Sequence, residues 1–206
     1  MSEPVEVRHS RVVRVVLPVD GAAMGLVSMA LLDEKELLDD EGNEKLLNTH
    51  GEHLIERVND TVRVPHPNLL VKLDGYYIIE INKVVDYYGW GDRHAKLLVS
   101  RMPDNPDEEK YRKGMKMEGL YLLGDPTYLR KSEDFIREYF KYQKENDYPD
   151  QLLYRNEDDT VITAFSCTSG LGDGGYMAHI IYDTDTNVAS CIQVEFLFPE
   201  EDYDLD

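Results

Sequence analysis

Nine residues, Thr168-Ser169-Gly170-Leu171-Gly172-Asp173-Gly174-Gly175-Tyr176, hold four of the chain's fourteen glycines between two strand-like runs. Glycines in that density let a backbone turn tightly or approach a ligand closely, as in loops that cradle phosphate. A phosphate loop, however, needs a helix N-terminus after it and commonly a lysine. Here a β-branched run follows, and no lysine or arginine lies between Arg155 and the C-terminus. The segment therefore reads as a bend in which Asp173 satisfies backbone N–H groups. Asp173 and Tyr176 are expected to be exposed there for contact with a partner. A second stretch, Gly89-Trp90-Gly91-Asp92, repeats the G-x-G-D pattern of Gly170-Leu171-Gly172-Asp173, again between two strand-like runs.

Other chemistry-bearing patterns fail on spacing. Asp183-Thr184-Asp185-Thr186-Asn187 opens like a calcium loop, but Val188 and Val194 stand where glycine and glutamate are required. It reads as a hairpin turn. His50 and His53 do not form H-E-x-x-H, and Gly51 interrupts any helix between them. No serine sits in a G-x-S-x-G elbow. Cys167 and Cys191 lie in apolar runs where cysteine packs as a small hydrophobe, and a Cys167–His179 pair lacks the basic neighbours that activate a thiol. No metal site, cofactor or catalytic residue is expected from these patterns.

The elements around these loops read mostly as strands. Residues 12–19 are a β-branched run closed by Asp20-Gly21, and 22–32 form a second strand or a short buried helix. Leucine pairs in 33–60 suggest short helices on a segment with ten acids against three bases. Strands follow at 69–73, 76–85 and 94–102, with Asp74-Gly75 read as a two-residue hairpin between the first two. Ser132 caps a helix over 132–145, whose Phe135, Ile136, Tyr139 and Phe140 share one face. Runs at 160–167, 176–182 and 188–198 read as an antiparallel meander. The expectation is an α+β protein: a mainly antiparallel sheet with the 132–145 helix packed on it and short acidic N-terminal helices. Residues 1–64 would form an N-terminal subdomain, 65–198 the main domain and 199–206 an acidic tail.

The pairing of Gly124-Asp125-Pro126-Thr127-Tyr128 with the later glycine loop resembles a loose group of bacterial and phage domains of unknown function. These carry a D-P-x-Y turn and a G-x-G-D-G-x-Y turn. The matching positions are Asp125, Pro126, Tyr128, Gly172, Asp173, Gly174 and Tyr176, and the resemblance covers about residues 119–198. It implies a compact β-rich domain in a bacterial or phage setting and no particular reaction. Thr127 stands where many relatives carry cysteine, so no thiol role carries over.

With 206 residues and 42% apolar content the chain can bury a sizeable core. Its formal charge of −19 disfavours nucleic acid and anionic membranes and suits a basic protein partner. Residues 1–6 lack a signal-peptide pattern, and two cysteines make no disulfide framework, so a cytoplasmic setting is expected. The function expected is a non-enzymatic binding protein, in the manner of a phage-encoded modulator of a host protein, acting through an acidic surface. Its contact residues would be Asp173, Tyr176, Asp125, Tyr128, Trp90 and Asp92. The alternatives are a cation- or small-molecule-binding domain or hydrolase lined by Asp92, Asp125 and Asp173, and a structural phage component.

Overall fold

The computed structural model describes residues 10–19, 22–31, 56–58, 61–63, 68–89, 91–103, 113–126, 141 and 151–197. Eleven strands run through them: β1 (Ser10–Val19), β2 (Ala23–Ser28), β3 (Glu56–Val58), β4 (Thr61–Arg63), β5 (Asn68–Val84), β6 (Arg93–Arg101), β7 (Met115–Gly124), β8 (Gln151–Arg155), β9 (Ile162–Thr168), β10 (Gly174–Asp183) and β11 (Ala189–Glu195). They hydrogen-bond in the order β3-β4-β1-β10-β11-β6-β5-β7-β2-β9-β8. Every pairing is antiparallel except β1 with β4.

This corrects the α+β expectation. No helix of seven or more residues occurs among the described residues, which are nearly all antiparallel sheet. Period-two alternation of Val, Ile, Leu and Tyr governs them, and that pattern buries one face of a strand. The predicted helix over 132–145, Lys141 apart, and the acidic segment 33–55 lie outside the described residues.

In β1 the alternation is plain: Val15, Leu17 and Val19 are buried while Val12 is exposed. All six residues of β2 are buried, because both of its faces are covered. Met24 and Leu26 join the main core, whereas Val27 packs with Leu70, Leu122 and Ala164 on the opposite face. The N-terminal strands are woven through the sheet, β1 against β10 and β2 between β7 and β9.

Two corners fold this sheet over a single core, whose side chains come from β1, β2, β5, β6, β7, β9, β10 and β11. One corner is in β5. Its residues 68–77 pair with β7, and its residues 77–84 pair with β6. Asp74-Gly75, expected to be a hairpin, is instead a bend inside one continuous 17-residue strand. Gly75 takes φ +126° there, a conformation open to glycine and strained for other residues. The other corner is a double crossing. β1 runs into β2 while β10 and β9 pair alongside them, so both chains pass from one half of the sheet to the other. The expected C-terminal meander is therefore split: β10 pairs with β11, but β9 pairs with β2 and β8.

Two buried tyrosines pin the fold beside the β5 corner. The Tyr77 hydroxyl accepts the Asp74 N–H (3.1 Å) and donates to the Ala189 carbonyl (2.8 Å). Tyr121 repeats this on β7, accepting the Glu118 N–H (3.3 Å) and donating to the Ile162 carbonyl. Each hydroxyl thus ties its strand to the strand two places away, just past the end of the strand between them. Replacing Tyr77 by Phe strands the buried Ala189 carbonyl and the part-buried Asp74 N–H, and should cost about 1–3 kcal/mol in urea unfolding. Val12→Ala, at an exposed position, should stay within about 0.5 kcal/mol of the parent.

Burial pushes the Tyr77 and Tyr182 hydroxyls from 10.0 up to about 12. The unfolded chain then releases these protons from about pH 10, while the folded chain holds them. Stability is therefore full below pH 10, falls as pH rises from 10 to 12 and levels off above that. Chemical denaturation between pH 9 and 12 should trace this fall, and Tyr77→Phe should make it shallower.

Candidate functional site

Asp92 of the first G-x-G-D stretch and Gly170, Leu171 and Gly172 of the second line one concavity. A cleft of about 420 Å³ is lined by Ala22, Lys83, Asp92, Arg93, His94 and residues 168–172. One wall is the end of the β5–β6 hairpin; the other is the crossing from β9 to β10. The row of β5 that runs Tyr77, Ile79 and Ile81 along the core ends at the exposed Lys83, which lines the cleft.

His94 reaches the cleft because of a bulge. Asn82 faces Lys96, but Lys83 faces His94, so Ala95 is an extra residue in β6. Leu97 and Val99 point into the core, and strict alternation would send His94 outward. The extra residue reverses the parity, and His94 is buried instead. The Ala95 carbonyl holds the bulge by accepting the N–H groups of Phe196 (2.9 Å) and Leu197 (3.1 Å). His94 Nδ1 lies 3.0 Å from the Thr168 carbonyl and 2.9 Å from the Thr168 hydroxyl. A carbonyl can only accept, so Nδ1 carries the proton and joins the hairpin wall to the end of β9.

The glycine loop is held from inside. The Gly172 carbonyl accepts both the Ser169 hydroxyl (2.6 Å) and the Tyr176 hydroxyl (2.7 Å). Gly170, at φ +72°, lies flat on the β6 backbone: a Cβ there would sit 2.5 Å from the His94 carbonyl oxygen. The two aspartates of the repeated motif do the same work. Asp92 Oδ1 accepts the Asp86 N–H (3.1 Å), and Asp173 Oδ1 accepts the Ala22 N–H (3.2 Å). Ser169 N–H also donates to the Ala22 carbonyl (3.0 Å), so the β1–β2 junction is clamped to the loop.

Among the sequence-derived candidates, Asp92 lines the cleft, and Asp173 is exposed at its rim through Ala22. Tyr176 was expected to be exposed and is buried instead. Its ring packs edge-on against Phe196 (5.5 Å), and burial raises its hydroxyl pKa. Asp125 is fully buried and does not line the cleft, so the three carboxylates do not share one pocket. Trp90 and Tyr128 lie outside the described residues. Cys167 is in the core, whereas His179 lies on the opposite face of β10 from the core residues Ala178 and Ile180, so that pair does not form. Asp183 Oδ1 accepts the N–H groups of Asp185 (3.0 Å) and Thr186 (3.0 Å), which makes 183–187 the expected hairpin turn.

Sequence reasoning missed Lys83, Arg93, His94 and Thr168 as cleft residues. A repeated acid-Gly-x-Tyr pattern was available as a structural signal: Asp74-Gly75-Tyr76-Tyr77, Glu118-Gly119-Leu120-Tyr121 and Asp173-Gly174-Gly175-Tyr176. All three tyrosines turn out buried, each with its hydroxyl donating to a backbone carbonyl. Among the described residues, no group of three or more His, Cys, Asp or Glu side chains could hold a metal ion. No described helix is long and apolar enough to cross a membrane. No family model, curated protein or solved structure matches the chain.

The packing of Gly170 separates two glycine substitutions. Gly170→Ala must move the His94 carbonyl as well as adopt a strained φ, and should cost about 2–4 kcal/mol. Gly172→Ala, at φ +100° with open space around it, carries the backbone term alone, about 1–2 kcal/mol. Denaturant midpoints of the two variants check the order.

Proposed function

We propose that the protein is a non-enzymatic binding protein that recognises its ligand in the cleft between the two G-x-G-D loops. The observation that carries this reading is the convergence of loops some eighty residues apart on one concavity of about 420 Å³. That volume lies within the range of small-molecule pockets, roughly 300–1,000 Å³. The walls are held by backbone hydrogen bonds and a bulge, which favours a pre-formed site whose residues need little ordering on binding. Serine, threonine and histidine groups line it, but the Ser169 hydroxyl is committed to the loop and His94 Nδ1 to β9. Binding fits this arrangement better than nucleophilic catalysis, which needs a base within reach of an activated nucleophile.

The charge of −19 supports a second reading, a basic protein partner docking on the acidic surface, as a phage-encoded modulator of a host protein would. Cys167 and Cys191 are not joined in a disulfide, which suits the reducing cytoplasm proposed as the setting.

The two readings part on one variant. Leu171→Trp places a large ring at the cleft wall and leaves the net charge untouched. Cleft binding predicts that small-molecule hits from a thermal-shift screen lose at least tenfold in affinity in this variant. Surface docking predicts that binding of a basic partner survives the substitution and weakens steeply between low and high salt.

A further inference from the structure

The outward face of the layer β1-β10-β11-β6-β5 is richer in apolar side chains than a solvated sheet face requires. Two side-chain rows cross all five strands in register. The first is Val12, Ile181, Cys191, Ser100 and Ile78, and the second is Arg14, His179, Gln193, Leu98 and Glu80. The residues between the rows along the middle strands, Ile180, Ile192 and Val99, belong to the core, so strand alternation turns both rows outward. Val12 is exposed, and Ile181, Leu98 and Ile78 are half-buried. A third row adds Val16 and Met177 beside Glu195 and Lys96. Single outward apolar residues need no explanation, but a contiguous patch marks a contact surface.

The charges on this face balance, in a chain whose charges do not. Arg14 and Lys96 stand against Glu80 and Glu195 over the three rows, whereas the whole chain carries −19. No excess of like charge therefore opposes a second copy here. The order of the charges also selects how that copy sits. Arg14 on β1 and Glu80 on β5 are both exposed and close the two ends of one row, each two strands from β11. A two-fold axis running along β11 exchanges β1 with β5 and β10 with β6. It lays Arg14 of each copy on Glu80 of the other and sets Val12 against Ile78. An axis running across the strands through the same row would lay Arg14 on Arg14 and Glu80 on Glu80. The first arrangement is self-complementary, as an isologous contact requires.

We propose that this face binds a second copy of the chain, with β11 on the two-fold axis and Arg14 paired with Glu80 on both sides of it. The inference is independent of the cleft. Twisted sheets of one hand pack face to face about 10 Å apart, with their strands about 30° from parallel, which an axis close to the direction of β11 provides. Five strands about 4.8 Å apart, each with about seven residues at about 3.4 Å, make a face of about 24 by 24 Å. A dimer on that face buries roughly 1,100 Å², the lower end for a specific interface, so it is weak and concentration-dependent. Glu195 meets its own copy at the axis. Its carboxylate accepts from Gln193 Nε2 (2.7 Å), and Lys96 stands beside it in register, which tempers that contact.

Sedimentation equilibrium of the full chain tests this, from micromolar to millimolar concentration in about 0.15 M salt, where general repulsion is screened. The parent is expected to show a monomer–dimer equilibrium. Arg14→Glu and Glu80→Arg should each weaken it at least tenfold, because each reversal brings like charges together on both sides of the axis. Glu80→Arg also lowers the overall negative charge, so general repulsion alone would make that variant associate more tightly. Combining the two reversals keeps the parent's net charge and should restore the affinity to within about threefold. Both positions are exposed, so the core is untouched, and circular dichroism checks the fold. A short bis-maleimide should join two copies through Cys191, and Cys191→Ser should abolish the cross-link, because Cys167 is buried. A parent that stays monomeric up to about 1 mM overturns the proposal and leaves this face to a different partner. A dimer indifferent to both reversals, or one that the combined variant fails to restore, overturns it as well.

Discussion

The fold depends on how two buried tyrosine hydroxyls fix the place where the sheet bends. Hydrophobic burial supplies most of the energy. Among the described residues the main core gathers 25 buried side chains, and each large one is worth about 1.5–3 kcal/mol. A hydroxyl bond adds only about 1 kcal/mol net. Burial has no direction, however, and a long strand could bend at many points. Tyr77 and Tyr121 choose the point. Each takes an N–H from three residues back, across a glycine at positive φ, and gives its proton to a carbonyl on a strand two places away. Bending elsewhere would leave four backbone groups without these partners. Asp74 and Glu118 face each other in the β5–β7 register, so the two devices lie side by side and set one corner together.

The cleft is a downstream consequence of that corner. With Tyr77 fixed, its row of β5 reaches Lys83 six residues later. The register with β6 would then present Ala95 and not His94 to the interior, were it not for the bulge. The carbonyl of Ala95 is satisfied by the chain leaving β11, and that of His94 lies under Gly170. Both walls are therefore tied to the core scaffold by backbone hydrogen bonds, at Ala95 on one side and at Ala22 and Ser169 on the other. The crossing chains at Ala22 and Ser169 tie the same corner from the other side.

Strands were legible in the sequence wherever β-branched runs kept an alternating pattern, and β1, β6, β10 and β11 fall close to where that pattern puts them. Pairing was not legible. Asp-Gly signals a hairpin only when its flanks pair with each other, and the flanks of Gly75 pair with β7 and β6 instead. The glycine loop misled in the same way, since a bend between two strands looks alike whether they are neighbours or lie in different halves of the sheet. Tyr176 was read as exposed because it follows a turn. Its hydroxyl has a partner four residues back, at Gly172, and that lets the ring go inside. The α+β class failed because the alternating pattern extends through nearly all the described residues, leaving them sheet on both sides of the core.

The cations of the cleft show why a local window cannot decide a binding site. Between Arg155 and the C-terminus the chain has no lysine or arginine, yet the cleft lined by Gly170–Gly172 is also lined by two, brought by register from 77 or more positions earlier. At physiological ionic strength exposed charges fade over a screening length of about 8 Å, so the groups nearest the cleft weigh most in it. Among those groups, Asp92 is tied into the turn at Asp86, and Lys83 and Arg93 leave the sheet on opposite faces, because Lys83 pairs with His94 and Arg93 with Val84.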